Sequence, residues 1–136
     1  MSSESAYPYV NHMNILYSSC ELIDVPKLVQ ECRDKWYNQT LCQVNESVVR
    51  LGVLHGEYHW HKHEEEDEFF FVISGRLDIE LEGGGSVKLG EQQGYVVPRG
   101  MMHRPIAEKR TVVLMVETAG IIPTGTEASP SDASQL

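Results

Sequence analysis

At 136 residues, with 41% hydrophobic and 23% charged side chains, the chain has the size and composition of one globular domain that can bury its own core. A formal net charge of −9, with lysines and arginines that never form a block, argues against nucleic acid as a partner, because that requires a basic face. No apolar run approaches the roughly 20 residues of a membrane span, and residues 1–14 lack the basic and apolar regions of a secretory signal.

Three cysteines, Cys20, Cys32 and Cys42, are odd in number and share no metal-type spacing, which fits plain thiols in a reducing compartment. A cytoplasmic protein, with no nucleic-acid and no membrane partner, is therefore expected.

Residues 1–12 are polar and mixed, and are expected to form a loose arm, followed by a short edge strand over 14–22. Asp24-Val25-Pro26 has the makings of a helix start, since Asp can accept from free N–H groups and Pro is tolerated in the first turn. Leu28, Val29, Cys32 and Trp36 then recur at helical spacing, which predicts a short amphipathic helix ending near Asn38 and covering one opening of the domain C-terminal to it.

After Asn45 the pattern changes to short strands with turns between them. Strands are expected over 48–54, with a turn or bulge at Gly56, and over 59–63 and 69–73. Leu77, Ile79 and Leu81 alternate with acidic residues, the mark of a half-buried strand, and Gly83-Gly84-Gly85 turns the chain back into 86–89. Further strands are expected over 95–97 and 111–117, separated by a tight turn at Pro98-Arg99-Gly100. Beyond Thr118 the composition turns Gly-, Pro-, Ser- and Thr-rich, and disorder is expected past Gly125.

The chain thus divides into an arm, edge strand and helix (1–44), a strand-built domain (45–118) and a tail (119–136). Short strands with glycine at nearly every turn predict an all-β sandwich or barrel.

The densest chemistry lies at His59-Trp60-His61-Lys62-His63, with Glu68 five residues on. Alternation along a strand would put the three histidines on one face and Trp60 and Lys62 on the other. One strand cannot surround an ion. His61 and His63 would supply two ligands, Glu68 a third across the acidic turn, and His103 a fourth, delivered by the Pro98–Gly100 turn. Imidazole with carboxylate suits Fe, Mn, Ni, Zn or Cu, and positions left for water or substrate mark a catalytic type of site.

Two spaced motifs carry a resemblance. His61-x-His63-x4-Glu68-x6-Gly75 is similar to the first cupin motif, and Gly94-x3-Pro98-x-Gly100-x2-His103 to the second, with a shortened gap before the proline. The run Trp60-His61-Lys62-His63, with Asp67-Glu68-Phe69-Phe70, Val97-Pro98-Arg99-Gly100 and Glu117-Thr118-Ala119-Gly120, resembles small single-domain cupins often described as mannose-6-phosphate isomerase-like. That label is an analogy of fold and does not establish a reaction.

The resemblance implies a cupin double-stranded β-helix, a jelly-roll barrel with a short N-terminal helix. It also implies one divalent transition metal on His61, His63, Glu68 and His103, and a homodimer. His59 is a third histidine on the ligand face, so a His59/His61 register is conceivable, but only His61/His63 puts Glu68 and Gly75 at the family spacing.

His59 then becomes a candidate proton shuttle, and Glu117, at the end of the last strand, a second inward carboxylate. Arg50, Tyr58 and Tyr95 are candidate substrate-binding groups on barrel strands. His12 and His55 have no partners in sequence and carry no role.

The implied function is a metal-dependent enzyme acting on a small polar organic substrate. It would be either an isomerase, lyase or decarboxylase, or an Fe-dependent dioxygenase. The competing reading is a non-catalytic barrel that binds a small ligand.

Overall fold

The computed structural model describes residues 9–120 and Gly125. Of the loose arm expected over residues 1–12, residues 1–8 lie outside the described residues, as does the disorder expected past Gly125, whereas Val10–His12 form a strand. The elements run β1 (Val10–His12), α1 (Val25–Glu31), β2 (Trp36–Val44), β3 (Ser47–Glu57), β4 (Glu68–Ser74) and β5 (Leu77–Leu81). A single 3-10 turn (Glu82–Gly84) leads to β6 (Ser86–Leu89), β7 (Gly94–Val97) and β8 (His103–Thr118).

These strands form a double-stranded β-helix, the jelly-roll expected. Its spine is β8, the longest strand. Along one edge β8 pairs antiparallel with β3 from Ser47↔Thr118 to Glu57↔Ile106. Along the other edge it pairs with β5 near His103 and with β4 near Val113.

Strand β8 starts eight residues earlier than the expected 111–117 segment, at His103 itself. The sequence hides this because Glu108, Lys109 and Arg110 are exposed and polar. They leave the ladder where β3 slips register between Leu54 and Gly56, and Gly56 takes a positive φ of 116° there.

Side chains alternate between two apolar layers. Inside the barrel pack Trp36, Leu54, Phe70, Val72, Leu77, Ile79, Val97, Val113 and Met115. On the outer face of β2, β3 and β8 pack Leu41, Leu51, Val53 and Val112, covered by Val25, Leu28 and Val29 of α1. Buried on both faces, β3 therefore reads as a nearly continuous apolar run. The helix covers this outer sheet face, not an opening of the barrel.

Two expectations for the N-terminal part need correction. The helix stops at Cys32, whose ψ of 129° is already extended, and Trp36 begins β2. Asp24 does start the helix, accepting from the Lys27 N–H at 3.2 Å. The Trp36 side chain shares the helical spacing of Leu28 and Cys32 by coincidence. From Trp36 to Thr40 the chain pairs with β3 in unbroken register, and that ladder decides the conformation.

The edge strand lies at Val10–His12, parallel to β2, and not over 14–22. Within 14–22, Leu16 and Tyr17 donate main-chain bonds to β2, at Thr40 O (3.2 Å) and Leu41 O (2.8 Å), without forming a strand. Among the described residues no helix is long and apolar enough to cross a membrane.

Candidate metal centre

The histidine segment leaves β3 at Glu57 and runs on beside the start of β8. Tyr58 N–H donates to Pro105 O at 3.0 Å, but Pro105 has no N–H to return the bond. The expected 59–63 strand is therefore not a ladder. It is an extended segment held by one bridge, His61↔His103. Its alternation survives: His61 and His63 are buried, while Trp60 is 41% exposed.

Two turns are sewn onto this segment. Gly100 N–H donates to His63 O at 2.8 Å, and Arg99 N–H donates to Asp67 Oδ1 at 2.9 Å. The Arg99 N–H holds the exposed Asp67 carboxyl below its ordinary range. Asp67 thus ties the acidic turn to the one before His103. Glu68 opens β4, where it pairs with Val97 of β7.

These connections bring three of the four expected ligands into one cluster and set His103 beside Glu68. Ligand atoms of His61, His63 and Glu68 all lie within 4.8 Å of one another. Glu68 Oε1 stands 3.5 Å from His63 Nε2 and 3.4 Å from His103 Nε2. Metal–ligand distances of about 2.0–2.2 Å place neighbouring ligand atoms roughly 3–3.5 Å apart, so the spacing suits one ion.

Hydrogen bonding argues the same way. His61 Nδ1 lies 3.0 Å from His59 O, and His103 Nδ1 lies 2.9 Å from Met101 O. Each carbonyl holds the ring proton on Nδ1 and turns an Nε2 lone pair inward. His63 Nε2, His103 Nε2 and Glu68 Oε1 are buried without a hydrogen-bond partner among the described residues. Such atoms face a carboxylate favourably only with a proton or a metal cation between them.

The protonation states agree with ligation. Burial, then His103 beside it, pushes the His61 imidazole down to about 3, so it is neutral at ordinary pH. Burial alone would raise Glu68, but contact with His103, His63 and the Glu117 carboxyl outweighs it and holds Glu68 well below the usual carboxylate range. Burial and then the Glu68 charge push Glu117 well above that range.

Beside the cluster a small cavity enters the barrel. His61 and Glu68 lie on its wall with Arg50, Glu117, Asn38 and Tyr58. Arg50 Nη1 and Glu117 Oε2 form an ion pair at 2.7 Å, both side chains almost wholly buried.

Of the other candidates, Tyr58 stacks on both Tyr9 (ring centroids 4.1 Å) and Trp36 (5.1 Å), which also touch each other. Tyr95 is half-buried against the barrel core and is not among the cavity-lining residues. His59 also lies off that wall. Its ring stacks on Tyr58 at 4.6 Å, and its N–H donates to the Tyr9 hydroxyl at 3.0 Å. What His59 demonstrably gives the cluster is its carbonyl oxygen.

Sequence reasoning misses Trp36 and Asn38 as cavity residues because their spacing reads as the end of the helix. The alternation of Trp36, Asn38 and Thr40 is the signal that could have found them.

A double-stranded β-helix with a His/His/Glu cluster at its cavity defines a class of small barrel proteins. The Cupin domain family model matches residues 48–117, and the chain belongs to that family. It is 37% identical over 90 residues to the uncharacterized protein YdbB of Bacillus subtilis (strain 168), covering 66% of this chain and 80% of that one.

Among solved structures, a cupin-2 domain containing protein from Shewanella frigidimarina superposes with a TM-score of 0.67 at 26% identity, over 71% of this chain and 94% of its own. Protein NMB1881 from Neisseria meningitidis gives a TM-score of 0.65 at 26% identity, over 72% and 99% of the two chains.

Proposed function

We propose that this cupin is a metal-dependent enzyme moving a proton on a small polar organic substrate, an isomerase, lyase or decarboxylase by type. The observation that supports it is the meeting of two features on one cavity wall. One is the His/Glu ligand cluster, and the other is the Glu117 carboxyl, whose Oε1 is buried without a hydrogen-bond partner among the described residues.

His61, His63, Glu68 and His103 would hold one divalent transition metal, of the Fe, Mn, Ni, Zn or Cu group that imidazole and carboxylate suit. Bound there, such an ion supplies Lewis-acid polarisation of a substrate oxygen. Glu117 gives or takes the proton at Oε1. Arg50 fixes the Glu117 carboxyl by its ion pair. Trp36, Leu54, Phe70 and Met115 keep bulk water from the reacting atoms. A cytoplasmic homodimer is the accompanying expectation, checked by light scattering on the purified protein.

The test is elemental analysis of protein prepared without added metal, beside a His61→Ala/His63→Ala double variant. One equivalent of manganese, nickel or zinc, lost in a folded variant, supports the reading and leads to isomerase and lyase assays. Iron or copper leads first to oxygen-uptake assays, and oxygen consumption with small acids would replace proton transfer by a dioxygenase reaction. No metal even after reconstitution would leave a ligand-binding barrel.

A further inference from the structure

The wall of the cavity next to the ligand cluster carries a set of polar groups that pair only in part. Arg50 on β3 is 3% exposed, and neither its Nε nor its Nη1 makes a hydrogen bond among the described residues. Its 2.7 Å approach to Glu117 is an ion pair whose direction misses that of a hydrogen bond. On the neighbouring strand, Asn38 spends its Nδ2 on Asn11 Oδ1 at 2.7 Å, leaving its own buried Oδ1 without a donor. From β8, Glu117 Oε1 is the second acceptor in the same position.

Strands β2, β3 and β8 are consecutive in the sheet. Each therefore contributes one incompletely bonded polar side chain to a single wall, and all three line the cavity.

A buried donor or acceptor without a partner is destabilising, and a charged one more so. Three together describe what the missing partner must offer. Arg50 requires an acceptor, preferably anionic. Asn38 and Glu117 require donors.

A phosphate is disfavoured, because its double charge would meet one guanidinium with two carboxyl groups, Glu117 and Glu68, close by. A neutral polyol would give Arg50 Nε and Nη1, which Glu117 reaches only as an ion pair, no charged acceptor in hydrogen-bonding direction. We infer that the cavity takes a small hydroxycarboxylate, its carboxylate on Arg50 and its hydroxyl donating to Asn38 Oδ1 or Glu117 Oε1. Apolar Trp36, Leu54, Phe70 and Met115 close the remaining walls and keep the carbon chain short.

The inference rests on reading this cavity as the substrate site, yet the binding it describes needs no metal. Calorimetric titration of the metal-free protein with lactate, propionate and lactamide tests it. Lactate is expected to bind, with propionate (no hydroxyl) and lactamide (no charge) each at least about tenfold weaker. Arg50→Gln should erase the preference for lactate over lactamide. Asn38→Leu leaves the Arg50–Glu117 pair in place and should erase only part of the preference for lactate over propionate, which keeps the test open if Arg50→Gln fails to fold. Equal binding of all three compounds, or none of lactate, would overturn the inference. Metal content, measured separately on the same preparations, reports on the metal reading alone.

Discussion

His61 and His103 hold each other by their main chains: His61 N–H donates to His103 O at 3.0 Å, and His103 N–H donates to His61 O at 2.9 Å. This reciprocal pair fixes two rings, at centroids 4.4 Å apart, independently of either side chain. The site is thus positioned by backbone that a side-chain substitution leaves intact.

His103→Ala is accordingly expected to keep the bridge and the fold while losing a ligand. Its metal affinity should fall by more than the 10–100-fold typical for groups that only orient ligands. Competition dialysis against a chelator measures the affinity. Near-normal affinity in the folded variant would remove His103 from the metal set.

Gly75 and Gly83 separate two costs of a side chain. Both have positive φ, 93° and 88°. A Cβ on Gly75 would also fall 2.6 Å from Thr111 Oγ1 and 2.9 Å from Thr111 Cα, whereas at Gly83 nothing lies within 4 Å. Gly83→Ala should cost about 1 kcal/mol from backbone conformation alone. Gly75→Ala should cost about 2–4 kcal/mol, because the backbone of β8 must move as well. Urea unfolding of the two variants gives the comparison, and equal losses would contradict the packing argument.

Trp36 is 4% exposed inside the barrel and packs on Tyr58 and Tyr9. Trp36→Ala should destabilise the protein by about 3–5 kcal/mol, as for other buried aromatics. A tryptophan on the outer face of a surface helix would cost far less. Denaturant midpoints decide between these positions, and a loss under about 1 kcal/mol would favour the helical one.

The depressed His61 imidazole makes the metal-free protein sensitive to acid. Its folded pKa is about 3 against 6.5 for the unperturbed ring. Between those values the unfolded state binds the extra proton, so stability falls as pH drops from 6.5 toward 3. His61→Asn should flatten that part of the profile of denaturant midpoint against pH. An unchanged slope would place the sensitivity elsewhere.

The spacing of His61, His63, Glu68 and His103, with glycines at the turns, was enough by itself for a resemblance to cupins, and through it for the jelly-roll and for His61, His63 and Glu68 as a cluster with His103 beside Glu68. Ligand identity and spacing are local properties, and alternation along an extended chain is legible wherever one face is buried. Other features depended on partners distant in sequence. Pairing with β3 made Trp36 a barrel residue and not a helical one. Pro105 turned an expected strand into a single bridge. The β3–β8 register put Glu117 diagonally across from Arg50, so that a buried ion pair closes one wall of the cavity. Which polar atoms are satisfied is a property of that packing, and only the tertiary structure decides it.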